Sequence, residues 1–157
     1  MSRLERAELT PAVTDFLDGT DLKRKVGETI LLVTVGESGW PHLAMLSVGE
    51  MLAISDTRLR VALWPGTNSG NNLVRTGRAT FVLVLAGAGI YIEADVTLEP
   101  QLEFEDGPLD SFLCSVTRVL VDEVDYAALT SGITFELPDE ESAVARWGRT
   151  VAAMRQS

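Results

Sequence analysis

Cysteine occurs once in this sequence, at Cys114, and histidine once, at His42. One cysteine excludes an intramolecular disulfide, and one cysteine with one histidine cannot build a Cys/His zinc cluster, so no metal site is expected. Cationic side chains are scarce: 13 Lys and Arg stand against 23 Asp and Glu, a formal net charge of -10. That balance repels polyphosphate backbones and anionic membrane surfaces, which argues against nucleic acid and membrane as partners. Long apolar runs are missing too. No segment reaches the roughly 18 residues that span a bilayer, and "MSRLERAELTP" lacks the apolar centre of a signal peptide, so a cytoplasmic setting is expected.

What the chain has is 157 residues with 46% hydrophobic content, enough for a single domain over 1–157 with a real core. Thr10 before Pro11 reads as an N-cap followed by proline at the first helical position, and Ala12, Val13, Phe16 and Leu17 form the apolar face of a helix over about 11–18 that Gly19 closes. "TILLVTV" (29–35) leads through "GESG" into "WPHLAMLSV", a hairpin pattern. "LRVALW" (59–64) alternates as a third strand, "ATFVLVL" (79–85) is apolar on both faces, and "IYIEADVTLE" (90–99) alternates as a half-exposed strand.

"GAG" at 87–89 reads as a hairpin turn and the acidic "QLEFEDGPLD" as a loop. The Val and Thr content of 111–124 favours a strand, with Cys114 as a buried small hydrophobe. A helix over about 139–155 follows Pro138 and three acids at its start, and it carries Val144, Trp147, Val151 and Met154 as a core or dimer stripe. About six strands at short intervals, with helices at both ends, predict a small antiparallel barrel.

Catalysis by a nucleophile finds little support, since His42 stands alone and the acids sit in loops and in the first turn of the last helix. No catalytic side chain is named. The informative stretch is "LWPGTNSGNNLVRTGRATF" (63–81). If "NNLVRTG" is helical, Thr67, Asn68 and Ser69 lie at its start, where free N–H groups and the dipole can receive an anion. The same residues also suffice as cap and turn formers. Arg58, Arg60, Arg75 and Arg78 flank the segment as candidate cations.

"TILLVTV-GESGWPHLAMLSV" followed by "LRVALWPGTNSGNNLVRTGRATFVLV" resembles the pyridoxamine 5'-phosphate oxidase-like family of FMN-binding split barrels, with Gly66 to Leu73 standing for that family's "G-S-x-x-x-x-N-L" segment. The resemblance covers residues 26 to 100 well and the remainder in outline. It implies a mainly β fold, a six-stranded antiparallel split barrel that forms a homodimer and binds FMN in grooves between subunits. By the same resemblance Thr67, Asn68 and Ser69 meet the phosphate, with Asn72 in the same segment. Leu63, Trp64 and Pro65 pass near the ribityl chain or ring, and Met45, Leu46 and Ser47 lie along the ring.

One departure stands out. Many family members carry Arg or Lys where this chain has Asn68, and a neutral amide cannot neutralise a phosphate as a cation does. Arg75, Arg78 or an arginine of a second subunit are the candidates to compensate. Two readings remain: an FMN-binding, flavin-dependent oxidoreductase acting on a small molecule, with His42 and Trp64 shaping its pocket, or a cofactor-free or other-ligand-binding dimer without redox activity. "PHLAMLSV" carries no basic residues for a substrate phosphate, so pyridoxamine phosphate is not implied.

Overall fold

The computed structural model describes residues 2–157; Met1, counted in the expected 1–157 domain, lies outside them. Eight strands form one antiparallel sheet: β1 (Ser2–Arg6), β2 (Ile30–Val35), β3 (Pro41–Leu46), β4 (Met51–Ala53), β5 (Arg58–Leu63), β6 (Arg78–Leu85), β7 (Ala88–Leu102) and β8 (Leu109–Glu123). Three helices accompany them: α1 (Pro11–Phe16), α2 (Asn68–Thr76) and α3 (Glu140–Gln156). The strand order is β3-β2-β6-β7-β8-β5-β4, with β1 added on β8. β3 and β4 end the path without pairing to each other, so the sheet curls into a half-barrel that stays open along one seam. This is the mainly β, antiparallel split barrel expected, with eight strands in place of six.

The two extra strands differ in what holds them: β1 rests on backbone pairing, whereas β4, too short to show a pattern, buries Met51 and Leu52 on opposite faces. β1 aligns Ser2 with Glu123 and Arg6 with Val119, while its one large apolar residue, Leu4, is exposed. β4 is a three-residue strand fixed by Met51 opposite Val61. The segment expected as a loop over 101–110 is also narrower, because β7 runs to Leu102 and β8 starts at Leu109. Pairing of Leu102 with Leu109 extends the ladder past a register shift.

Local signals placed the rest. The Thr10 hydroxyl accepts the Val13 N–H at 3.3 Å and caps α1, which ends at Leu17; Val13 and Leu17 are buried while Ala12 is exposed. The β6–β7 hairpin turns on Ala86 and Gly87, whose φ angles of 51° and 80° match the twist of two-residue hairpin turns. Gly89 already belongs to β7.

Inside the curl, Ile30, Leu32, Phe81, Ile92, Phe112, Cys114 and Val119 form the main core with Met51, Leu59 and Val61. α3 lies on the outer face of β4 and β5. There Leu52, Ala62, Leu102, Val151 and Met154 make a second cluster, and Trp147 reaches the main core. The Val144–Met154 stripe is therefore packing within one chain. It is no longer a reason to expect a dimer.

Candidate functional site

A cleft of about 950 Å³ opens between the end of β3, the start of α2, the 103–108 loop and α3. Its size lies at the upper end of ordinary small-molecule sites, roughly 300 to 1,000 Å³. Leu46, Leu63, Trp64, Phe104, Leu109 and Trp147 give it apolar and aromatic walls. Polar groups enter from four directions: Thr67 and Ser69 from the start of α2, Glu50 from the β3–β4 turn, Asp106 from the 103–108 loop, and Arg146, Arg149 and Thr150 from α3.

α2 begins as its sequence dictates. Thr67, in extended conformation, accepts the Gly70 N–H on its hydroxyl at 3.1 Å, and its carbonyl accepts the Asn71 N–H at 3.0 Å. The N–H groups of Asn68 and Ser69 have no acceptor among the described residues, as the first turn of a helix requires. Gly66 precedes them at φ 77°, on the side of the chain where a Cβ would meet nothing. Ser69 is only 4% exposed, yet its hydroxyl makes no hydrogen bond among the described residues and the residue lines the cleft. A hydroxyl on the cleft wall with no partner among the described residues, beside two free N–H groups, is a set of donors that suits an anion.

The structure brings six of the ten expected binding residues to this cleft: Leu46, Leu63, Trp64, Pro65, Thr67 and Ser69. Four lie elsewhere. Met45 alternates with Ala44 and Leu46 along β3 and faces outward. The Ser47 hydroxyl is committed to the β3–β4 turn, donating to Glu50 Oε1 at 2.9 Å and accepting the Gly49 N–H at 3.2 Å. Asn68 is exposed on the first turn of α2. Asn72 is buried, with its amide donating to Thr34 Oγ1 at 3.0 Å and its oxygen accepting from Arg75 at the same distance. Its polar groups tie α2 to β2.

The candidate cations are likewise redistributed. Arg60 is buried on the far side of β5 against Glu99. Arg75 is spent on Asn72 and the Val35 carbonyl. Arg58 and Arg78 are exposed, and neither lines the cleft. His42 shares its face of β3 with Ala44 and Leu46 but sits beyond the cleft wall.

Sequence reasoning missed the α3 wall and Glu50. Glu50 Oε1 accepts both the N–H and the hydroxyl of Ser47, at 3.1 and 2.9 Å, and the Glu50 N–H donates back to the Ser47 carbonyl at 3.1 Å, so "SVGE" is a closed Ser-x-x-Glu turn that the spacing alone could have revealed. Burial raises its carboxyl above the usual range, while the Ser47 bonds and the Arg146 charge pull the other way. Arg146, Arg149 and Thr150 recur at helical spacing beside Trp147, but which surface they face is a tertiary fact.

No family model matches the chain. The uncharacterized protein YclD of Bacillus subtilis (strain 168) is 38% identical over 142 residues, which span 90% of this chain and 92% of YclD. A solved structure of a candidate pyridoxamine 5'-phosphate oxidase from Lactobacillus delbrueckii superposes with a TM-score of 0.57 at 15% identity, over 76% of this chain and 98% of that one. HupZ of Group A Streptococcus superposes with a TM-score of 0.54 at 14% identity, over 82% and 99% of the two chains. The chain therefore belongs to one family with YclD, and its fold is the pyridoxamine 5'-phosphate oxidase-like split barrel.

Proposed function

We propose that this protein binds FMN in the cleft, with the phosphate at the start of α2 and the ring between the aromatic walls, and that it works as a flavin-dependent oxidoreductase on a small molecule in the cytoplasm. The observation that carries this is Ser69, a residue of the cleft wall whose hydroxyl has no partner among the described residues, beside free N–H groups and the Thr67 side chain. These donors suit a phosphate, and Leu46, Leu63, Trp64 and Trp147 suit a flat apolar ring system. Bound FMN would supply the electron chemistry of its ring, while the chain supplies binding, orientation and exclusion of water.

A second copy of the chain is part of the proposal. On the outer face of the β2–β3 hairpin, Leu31 pairs with Met45 and Val33 with Leu43, and Val82 of β6 lies beside Leu31. Leu43 and Met45 are 59% and 63% exposed, and β3 is an unpaired sheet edge. A contiguous apolar patch of this kind marks an association surface.

Asn68 keeps the second reading alive, a dimeric barrel that binds another ligand or none, because the exposed start of α2 offers no cation of its own. The visible spectrum of the purified protein, before and after added FMN, separates the two. Flavin absorption that stays with the protein through gel filtration is the expected result, with Thr67→Ala and Ser69→Ala together weakening FMN roughly ten- to hundredfold. A folded protein that takes up no flavin overturns the proposal in favour of the second reading.

A further inference from the structure

If the cleft holds a phosphate, its counter-charge must come from somewhere other than position 68. Arg75 and Arg60 are engaged elsewhere, and Arg78 lies outside the cleft. The basic residues on the cleft wall are Arg146 and Arg149 of α3. Among the described residues, neither guanidinium makes a hydrogen bond or lies within ion-pair distance of a carboxylate. The two are three residues apart, one turn along the same helix face, where like charges repel.

Their sequence neighbours do nothing to relieve this. Positions three and four residues to either side of Arg149 are Ala145, Arg146, Ala152 and Ala153, and around Arg146 they are Ser142, Ala143, Arg149 and Thr150. In a chain with 23 acids, no acid is placed to neutralise either arginine along the helix. Two carboxyls share the cleft. Glu50 is held by Ser47 and shares a charge interaction with Arg146, whereas Asp106 stands exposed on the 103–108 loop. Arg149 is the less compensated of the pair.

We infer that Arg149, with Arg146 beside it, supplies the cation for the phosphate of the cleft's ligand and so replaces the basic residue absent at position 68. This rests on the flavin assignment for the source of the phosphate, while the anion site itself can be tested without flavin. Guanidinium groups suit the task because they present parallel N–H donors to phosphate oxygens.

Two titrations test this on the full chain. FMN and riboflavin are titrated into wild type and into Arg146→Gln, Arg149→Gln and the double variant, at low and high salt. Glutamine keeps helix propensity at these exposed sites, so the variants should fold. The double variant should bind FMN roughly ten- to hundredfold more weakly, with riboflavin unchanged and the FMN loss shrinking as salt rises. Equal losses for both flavins, or none for FMN, overturn the inference while leaving the flavin assignment standing.

In the second titration, inorganic phosphate is compared with chloride at equal ionic strength by thermal unfolding. Phosphate should stabilise wild type and not the double variant. If wild type binds neither flavin but keeps this phosphate effect, the flavin assignment fails and the arginine site takes its phosphate from another ligand. If wild type binds no flavin and phosphate has no selective effect, both fail.

Discussion

Arg60 and Glu99 form a two-point ion pair beneath the end of α3, with Nε 2.6 Å from Oε1 and Nη2 3.2 Å from Oε2. The remaining terminal nitrogen, Nη1, donates to the main-chain oxygens of Met154 at 2.7 Å and Ser157 at 3.1 Å. One guanidinium thus joins β5, β7 and the carbonyl end of α3, where a cation also suits the helix dipole. The Arg60 side chain is 8% exposed and that of Glu99 is 23%. Arg60→Ala should destabilise the fold by about 2 to 4 kcal/mol, a little below the usual penalty for orphaning a fully buried charge because Glu99 keeps some water. Replacing both residues with methionine should be milder than Arg60→Ala. Urea unfolding midpoints check the order; an Arg60→Ala loss under about 0.5 kcal/mol would mean the pair is only incidental.

Arg60 also shows where sequence reading stops. Its sequence position marks it as one of four arginines in or flanking residues 63–81, and only the docking of α3 over β5 turns its face of the strand into an interior. The parts that were legible had local causes: Thr10 before Pro11, Thr67 before α2, the β-branched run of β2. The donors at the start of α2 were legible for the same reason, since they are fixed by adjacent residues. The tie of Asn72 to Thr34 was not legible because it spans 38 residues, and the α3 wall was missed because Arg149 and Thr67 meet one cleft only through the curl of the sheet. β1 was illegible for a further reason, as Leu4 and Glu5 are both exposed where it pairs with β8.

Gly49 is required by Trp147. A Cβ at Gly49 would overlap the indole ring and its Cβ, so the turn and α3 can approach only with glycine there. Gly49→Ala should cost about 1 to 3 kcal/mol, typical of overpacking, and should loosen the cleft wall. Trp40 and Trp64 are exposed, which leaves Trp147 as the buried indole. A red shift in its emission on substitution, together with a lower unfolding midpoint, is expected; an unchanged spectrum and midpoint would show that α3 yields freely.

Glu50 sets a pH dependence whose sign follows from its burial. Desolvation raises its folded-state pKa above the ordinary 4.5, with Ser47 and Arg146 opposing only in part. The folded chain then holds this proton more tightly than the unfolded chain. Its contribution to stability is full below about pH 4.5 and is lost as pH rises through the folded value. Glu50→Gln cannot ionise and still offers an oxygen to Ser47, so it should gain stability relative to wild type between pH 4 and pH 7. Paired unfolding curves at the two pH values read this; a gap that stays constant or narrows on raising the pH would contradict it.

Cys114 should be chemically silent in the folded protein. It is fully buried in the main core, and burial pushes its thiol up to about 12, with the charge of Glu99 adding to the rise. The thiolate is the reactive form, so labelling by a thiol reagent at pH 8 should proceed only through unfolding. Modification should be slow in buffer and rapid in denaturant. Fast labelling of the native protein would place Cys114 nearer solvent than the core packing allows.

The outer face of the β2–β3 hairpin gives the test of self-association. Leu43 and Met45 stand side by side there, each opposite an apolar partner on β2, and both point away from the core. In a lone chain their replacement should hardly matter, since exposed substitutions change stability by about 0.5 kcal/mol or less. In a dimer closed over this patch, Leu43→Glu with Met45→Glu would bury two carboxylates without partners, at several kcal/mol each. The dimer dissociation constant should then rise by about a hundredfold or more, while far-ultraviolet circular dichroism and the low-concentration unfolding midpoint stay near wild type. Light scattering at micromolar concentration gives the mass directly. Wild type should appear as a dimer and the double variant as a monomer. A monomeric wild type would remove the second copy from the proposal, and a double variant that keeps the dimer mass would move the interface to another face of the barrel.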